Sequence, residues 1–232
     1  MAYGRFDVPK DFITLTPDQV AEYSADAQKH YRSDYPYHNW NHALDVASGT
    51  EIISDKLRTH GLTIASGALA VAAAWHDAGY HEDHTAKGFE TKEQYSAYLL
   101  DEYLEGKSVS DTERLLMRNA IIATWAKHPE LRTPYELIMH RADIANIGGP
   151  SDEFILNSIH LWEEYRMTGD ASLSWEEYVK GAGGFIMFTA TEHDHESLKH
   201  FIDPADNTVD VNDLPFSTTA LSNLEILRTT EQ

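Results

Sequence analysis

A chain of 232 residues, 42% of them hydrophobic and none of them cysteine, carries enough apolar material for a packed core. It has no means of forming disulfides or thiolate metal sites. Its 38 acidic residues against 18 basic ones leave a formal charge of −20. Such a surface repels nucleic-acid phosphates and anionic membranes, and it favours a small substrate held through cations over a nucleic-acid partner.

The first ten residues hold no apolar run of signal-peptide length. The longest apolar stretch, around Leu69 to Trp75, is too short to span a bilayer. A soluble cytoplasmic protein is expected. In chain order, the first helix is expected over 17–30, behind Thr16-Pro-Asp-Gln19, a capping-box sequence with proline at the first helical position. A second follows over 39–59 and a third over 64–79, the latter apolar on nearly every side. A fourth over 89–105 ends at Gly106. Ser110-Asp-Thr-Glu113 opens a fifth over 111–127, where Leu115, Leu116, Asn119, Ile122 and Trp125 recur at spacings of three and four. Thr133-Pro-Tyr-Glu136 opens a sixth over 134–147, closed by Gly148-Gly149. Helices over 151–167 and 174–200 follow, the second behind Ser174-Trp-Glu-Glu177. Residues 203–217 read as an extended acidic strap and 218–228 as a short helix. Alternating strand patterns bounded by Asn-Gly or Asp-Gly turns are absent. The expected fold class is all-α, a helical bundle forming one domain over 1–232, with its core roughly within 17–200 and no dividing linker.

Four side chains stand out. His42 lies in YHNWNHALDV over 37–46, His76 and Asp77 end the apolar run GALAVAAAWHDAGY over 67–80, and Asp143 lies in HRADIAN over 140–146. Imidazole together with carboxylate suits Mn, Fe, Co, Ni or Zn, and Mg where water completes the shell. One divalent site is expected and a second is possible. A site of this kind makes a hydroxide from water at neutral pH, which points to a hydrolase. An ionised Asp77 at the end of an apolar helix is costly unless a cation or donors meet it. His38 and His42 are four apart, one turn on one face of a helix. A His-Asp pair alone is weak evidence, and a second one, His193-Asp194, sits in a polar stretch that reads as a solvated helix face.

The ordered set of His42, His76-Asp77 and Asp143 resembles the HD-domain metal-dependent phosphohydrolase superfamily, whose signature is His, His-Asp and Asp on a helical bundle. YHNWNHALDV is also similar to the YHNxxHAxDV motif of cyclic-nucleotide phosphodiesterases, and Ala142-Asp-Ile-Ala-Asn146 resembles their later A-D-[LI]-x-N segment. His76-Asp-Ala-Gly-Tyr80, Glu93, Ser96-Ala97, Thr124 and His128 resemble small bacterial HD phosphohydrolases. The resemblance covers roughly 35–150. It implies that His42, His76, Asp77 and Asp143 bind a first metal, with Asp77 bridging to a second, and that His38 is the general acid. A histidine near its ordinary pKa of about 6.5 suits protonation of a leaving alkoxide. Its plainer role would be to cap the helix start. His81 falls one residue later than the phosphodiesterase pattern places its next histidine. The last third of the chain lacks a match to their glutamine-and-aromatic purine pocket.

For a second metal or a phosphate contact the candidates are His81, Glu93 and His128, with His84 as a further histidine. Lys87 and Lys127 are possible phosphate contacts, although lysines at helix ends commonly complement the dipole. The late aromatics Trp162, Tyr165, Trp175, Tyr178, Phe185 and Phe188 read as core, with Phe185 and Phe188 the best members of any base-stacking pocket. The expected function is metal-dependent hydrolysis of a small phosphate ester, a phosphodiester or a nucleotide phosphomonoester, by a metal-activated hydroxide. The alternative is an HD-fold di-iron oxygenase acting on a small substrate. A non-catalytic sensor is a third reading, set against the filled state of all four ligand positions.

Overall fold

The structure, a computed structural model, describes residues 15–59, 63–125, 133–192 and 216–230. Among these the chain is all helical, with nine α-helices and no strand, as the sequence predicts. They are α1 (Pro17–Ala27), α2 (Trp40–Thr59), α3 (Ser66–Trp75), α4 (Lys92–Tyr103), α5 (Asp111–Ile122), α6 (Pro134–Asp143), α7 (Ser151–Thr168), α8 (Trp175–Glu192) and α9 (Phe216–Thr229). No described helix is long and apolar enough to cross a membrane. The strap predicted over 203–217 lies mostly outside the described residues, as does the chain beyond Glu192 that was expected to extend α8.

The helix starts follow from local hydrogen bonding. Thr16 and Gln19 form a complete capping box at α1, and Ser110 with Glu113 does the same at α5. At α8, Ser174 N–H donates to Glu177 Oε2 (3.0 Å) and Glu177 N–H donates to Ser174 Oγ (3.2 Å). At α6 one half of the box is present, Glu136 N–H donating to Thr133 Oγ1 at 3.2 Å.

The chain divides into two compact units, one drawn from Met1–Asp34 and His38–Asp143, the other from Tyr35–Tyr37 and Ile144–Gln232. In the first, α3 is the central element, packed by α1, α2 and α5 and touching α4 and α6. Its sequence SGALAVAAAW is rich in alanine, the best helix former, and apolar all round, which suits a helix with no solvent face. Ala68, Leu69 and Val71 through Trp75 are all buried, and the Trp75 indole N–H donates to the Tyr23 carbonyl at 2.8 Å. α2 crosses α6 closely: a Cβ on Gly49 would stand 3.2 Å from Ala142 Cβ.

In the second unit, α7, α8 and α9 and the short 3₁₀ turn Ala145–Gly148 enclose a core of Ile144, Ile147, Phe154, Trp175, Tyr178 and Leu224 with their neighbours. Asn223 fastens α9 by donating to the carbonyls of Ile147 (3.0 Å) and Gly149 (2.9 Å). Of the late aromatics, Trp175 and Tyr178 are core, and Trp162 packs edge-on to Trp175. Phe185 and Phe188 are exposed.

Helix ends depart from expectation more than starts. α3 stops at Trp75 rather than 79, because Ala78 N–H bonds back to the Trp75 carbonyl (3.1 Å) and Tyr80 N–H to the Asp77 carbonyl (2.9 Å), spacings tighter than the α pattern. α6 breaks after Asp143 and resumes as the 3₁₀ turn. α5 ends at Ile122 rather than 127, with Ala123 N–H closing on Asn119 and Ile121. Each of these breaks but the last falls on a segment carrying a site residue.

Candidate metal centre

Asn39 starts α2: its side-chain Oδ1 accepts from the N–H of Asn41 (2.8 Å) and of His42 (3.4 Å). His42 therefore projects from the first turn of α2. His76 and Asp77 occupy the turn after α3, and Asp143 is the last residue of α6. These three termini converge in the first unit. His42 Nε2 lies 3.2 Å from Asp143 Oδ1 and 3.7 Å from Asp77 Oδ2. His76 Nε2 lies 3.0 Å from Asp77 Oδ2 and 3.4 Å from Asp143 Oδ1. One donor atom each from His42, His76 and Asp143 lies within 4.8 Å of the others. Among the described residues this is the one group of three or more such side chains.

The donor set fits a divalent cation. His76 is fully buried, and its Nδ1 sits 2.7 Å from the Ala73 carbonyl oxygen. A carbonyl only accepts, so the ring proton is on Nδ1 and the Nε2 lone pair points at two carboxylates. Nε2 is buried and makes no geometrically acceptable hydrogen bond. Facing carboxylate oxygens away from water, Nε2 needs a positive charge between, which a second ring proton or a metal ion supplies. A backbone carbonyl fixing the imidazole tautomer is also how metal-binding histidines are commonly oriented.

The electrostatics carry the same signature. Burial alone would lower the His76 pKa, but Asp77 and Asp143 overcome it and raise it from 6.5 to about 10. Burial pushes the Asp77 carboxyl up, yet His76 and Lys92 hold it well below the ordinary carboxylate range. Asp143 is likewise held low, against desolvation, by the neighbouring His42 and His76 rings. A buried carboxylate, Asp77, and a partly buried one, Asp143, are thus kept ionised around a point that attracts positive charge.

His38 lies ahead of α2, not on it, so the helix-face relation to His42 does not hold. The two rings nevertheless meet edge to face, with centroids 5.8 Å apart. The cap is provided by Asn39 rather than by His38. His38 lies flat on Tyr80, with centroids 3.8 Å apart and planes 21° apart. The other candidates separate. His81 is half-buried and edge-on to Tyr80. His84 uses its carbonyl to accept from Lys87 and Phe89 N–H. Glu93 is buried, with Oε1 3.4 Å from Lys92 Nζ. Lys87 pairs with Glu82 at 2.8 Å. His128, Lys127 and His193-Asp194 lie outside the described residues.

Three participants were missed in the sequence. Lys92 Nζ donates to Asp77 Oδ1 at 2.8 Å, and these contacts hold its ammonium above its ordinary pKa despite burial. Tyr31 donates its hydroxyl to the Ala74 carbonyl (2.9 Å) and accepts from Asp77 N–H (3.3 Å), pinning the turn. Tyr80 backs His38. The only signal was Tyr80's place in the HDAGY string; Lys92 and Tyr31 carry none.

No family model matches the chain, and no curated protein does. Solved structures do. The phosphodiesterase domain of the RhoPDE fusion protein from the choanoflagellate Salpingoeca rosetta superposes with a TM-score of 0.67 at 18% identity, covering 92% of this chain and 84% of that one. A second structure of the phosphodiesterase domain of Salpingoeca rosetta rhodopsin phosphodiesterase gives 0.63 at 18% identity, covering 90% and 79%. LmjPDEB1 in complex with IBMX gives 0.56 at 18%, covering 88% and 76%. The chain shares the helical fold of these phosphodiesterase domains.

Proposed function

We propose that this protein is a metal-dependent phosphohydrolase acting on a small phosphate ester, with a phosphodiester the first choice and a nucleotide monoester the second. The observation that carries the reading is the buried His76 Nε2, aimed with His42 at the carboxylates of Asp77 and Asp143. The fold shared with phosphodiesterase domains supports it.

In this reading His42, His76, Asp77 and Asp143 hold the cation. When bound, it supplies Lewis acidity toward water and the phosphoryl oxygens. The chain's residues do the rest. The Ala73 carbonyl keeps His76 in the binding tautomer. Tyr31 holds the Asp77 backbone so that its carboxylate faces the imidazoles. His38, set by the face of Tyr80, donates a proton to the leaving oxygen, a step worth roughly 10²- to 10⁴-fold in rate. The strongly acidic surface leaves small substrates favoured over nucleic acids, and a cytoplasmic location is proposed with them.

The test is a panel of phosphodiesters, cyclic nucleotides and nucleotide monoesters assayed with Mn²⁺, Mg²⁺, Ni²⁺ and Fe²⁺, with bound metal quantified alongside. Metal-dependent release of phosphate or of the monoester product is expected. Retention of iron with O₂-dependent turnover and no phosphohydrolysis would replace this reading with the oxygenase.

A further inference from the structure

The two oxygens of Asp77 keep different company. Oδ2 faces His76 at 3.0 Å and His42 at 3.7 Å. Oδ1 accepts from Lys92 Nζ at 2.8 Å. The same ammonium lies 3.4 Å from Glu93 Oε1 and 4.7 Å from the centroid of the Tyr80 ring. Asp77 and Glu93 are 1% and 4% exposed, so the lysine, its own side chain 30% exposed, meets two buried carboxylates and an aromatic face.

Helix preference does not explain this placement. Lys92 is the first residue of α4, behind the Thr91 cap, whose Oγ1 accepts from Gln94 N–H at 3.2 Å. A cation there opposes the helix dipole, which favours negative charge at the N-terminus. What compensates is the pairing with Asp77 and Glu93.

We propose that the Lys92 ammonium stands where a second divalent cation would otherwise share Asp77, so that the centre holds a single metal ion. The inference rests on the metal reading above. A bridging carboxylate needs its outer oxygen within about 2.0–2.2 Å of the second ion. Here that oxygen is hydrogen-bonded to a positive charge, and Glu93, the nearest carboxylate candidate for that ion, faces the same charge. An ammonium and a divalent ion both touching Asp77 Oδ1 would repel. Remove the ammonium and two buried carboxylate oxygens remain without a cation, a hard-oxygen site that suits Mn²⁺ or Mg²⁺ completed by water.

The experiment strips the full chain with chelator, reloads it with excess Mn²⁺, desalts it and measures manganese per chain. Electron paramagnetic resonance is recorded in parallel, since two neighbouring Mn²⁺ ions couple magnetically. Wild type should hold about one Mn²⁺ with an uncoupled spectrum, and Lys92→Met about two with a coupled one. Lys92→Arg, which keeps the charge, should stay at about one. Two ions in wild type, or an unchanged count in a Lys92→Met protein of native circular dichroism, would overturn the inference and leave the metal reading standing. No bound ion in wild type would remove the metal reading itself. Lys92→Gln, which also removes the charge, replaces Lys92→Met if that variant fails to fold, with the same count of about two expected.

Discussion

The imidazole of His38 lies flat on the ring of Tyr80, with centroids 3.8 Å apart and planes 21° apart. The stack restrains a side chain that precedes α2 and gains no helical support of its own. It also joins two segments that both carry candidate site residues. If His38 donates the proton to the leaving group, His38→Asn will leave bound metal unchanged and lower kcat by roughly 10²- to 10⁴-fold. Tyr80→Phe, which keeps the face, should sit near wild type, while Tyr80→Ala should lower kcat by about tenfold with metal content intact. Metal loss in His38→Asn equal to that in an Asp77 variant would end the separate role given to His38.

Asp77→Ala and Asp143→Ala should each abolish metal retention and turnover together. Each removes one of the two carboxylates, leaving the other with His42 and His76, which are neutral imidazoles when metal binds. Affinity should fall by at least about 10²-fold, measurable by competition with a chelating dye. Retention of metal in Asp143→Ala at wild-type affinity would mean that α6 contributes no ligand.

The metal-free protein should have a distinctive stability profile. His76 holds its proton to about pH 10 when folded, against 6.5 ordinarily. A raised folded pKa gives stability that is complete below about 6.5 and is lost as pH rises through 10. Asp77 and Asp143 act in the other direction: their depressed pKa values stabilise above the ordinary carboxylate range, and that stability is lost on acidification. Chelator-treated protein should therefore melt at progressively lower temperature between pH 6.5 and 10. Added Mn²⁺ should reverse the trend, because metal displaces the proton and binds more tightly as pH rises. Parallel profiles with and without Mn²⁺ would contradict the placing of proton and metal on the same atoms.

Gly79 offers a test of packing alone. A Cβ there would meet Tyr95 Cδ1 at 2.6 Å and the Ser96 backbone nitrogen at 3.1 Å. Tyr95 could shift, but the backbone of α4 cannot move without disturbing the bond from Gly79 N–H to Ser96 Oγ at 2.9 Å. Gly79→Ala should destabilise by about 1–3 kcal/mol, read from the denaturant midpoint. A change below about 0.5 kcal/mol would show that the turn after α3 has slack.

Much of this was legible in the chain because the relevant bonds are local. The boxes at Thr16, Ser110 and Ser174 span three residues each, so helix starts could be read directly. The apolar run of α3 announced a buried helix, and the chemistry of His42, His76, Asp77 and Asp143 pointed to side chains that could share a cation. Helix ends carried no comparable side-chain signal, which is why α3, α5 and α6 stop earlier than their apolar patterns do. Lys92 was invisible for a different reason. It is an ordinary lysine in a polar helix start, and its role depends on a partner fifteen residues away brought near by the turn after α3.

The crossing of α2 over α6 at Gly49 and Ala142 has a bearing on affinity. Asp143 follows Ala142 directly, and His42 lies roughly two turns along α2 from Gly49. The spacing of the two backbones thus sets the bite between an imidazole and a carboxylate that a cation must bridge. A bulkier side chain at either small residue would act as a wedge, opening that bite from behind. Under the proposed metal reading, selectivity would then be tunable by residues that never touch an ion.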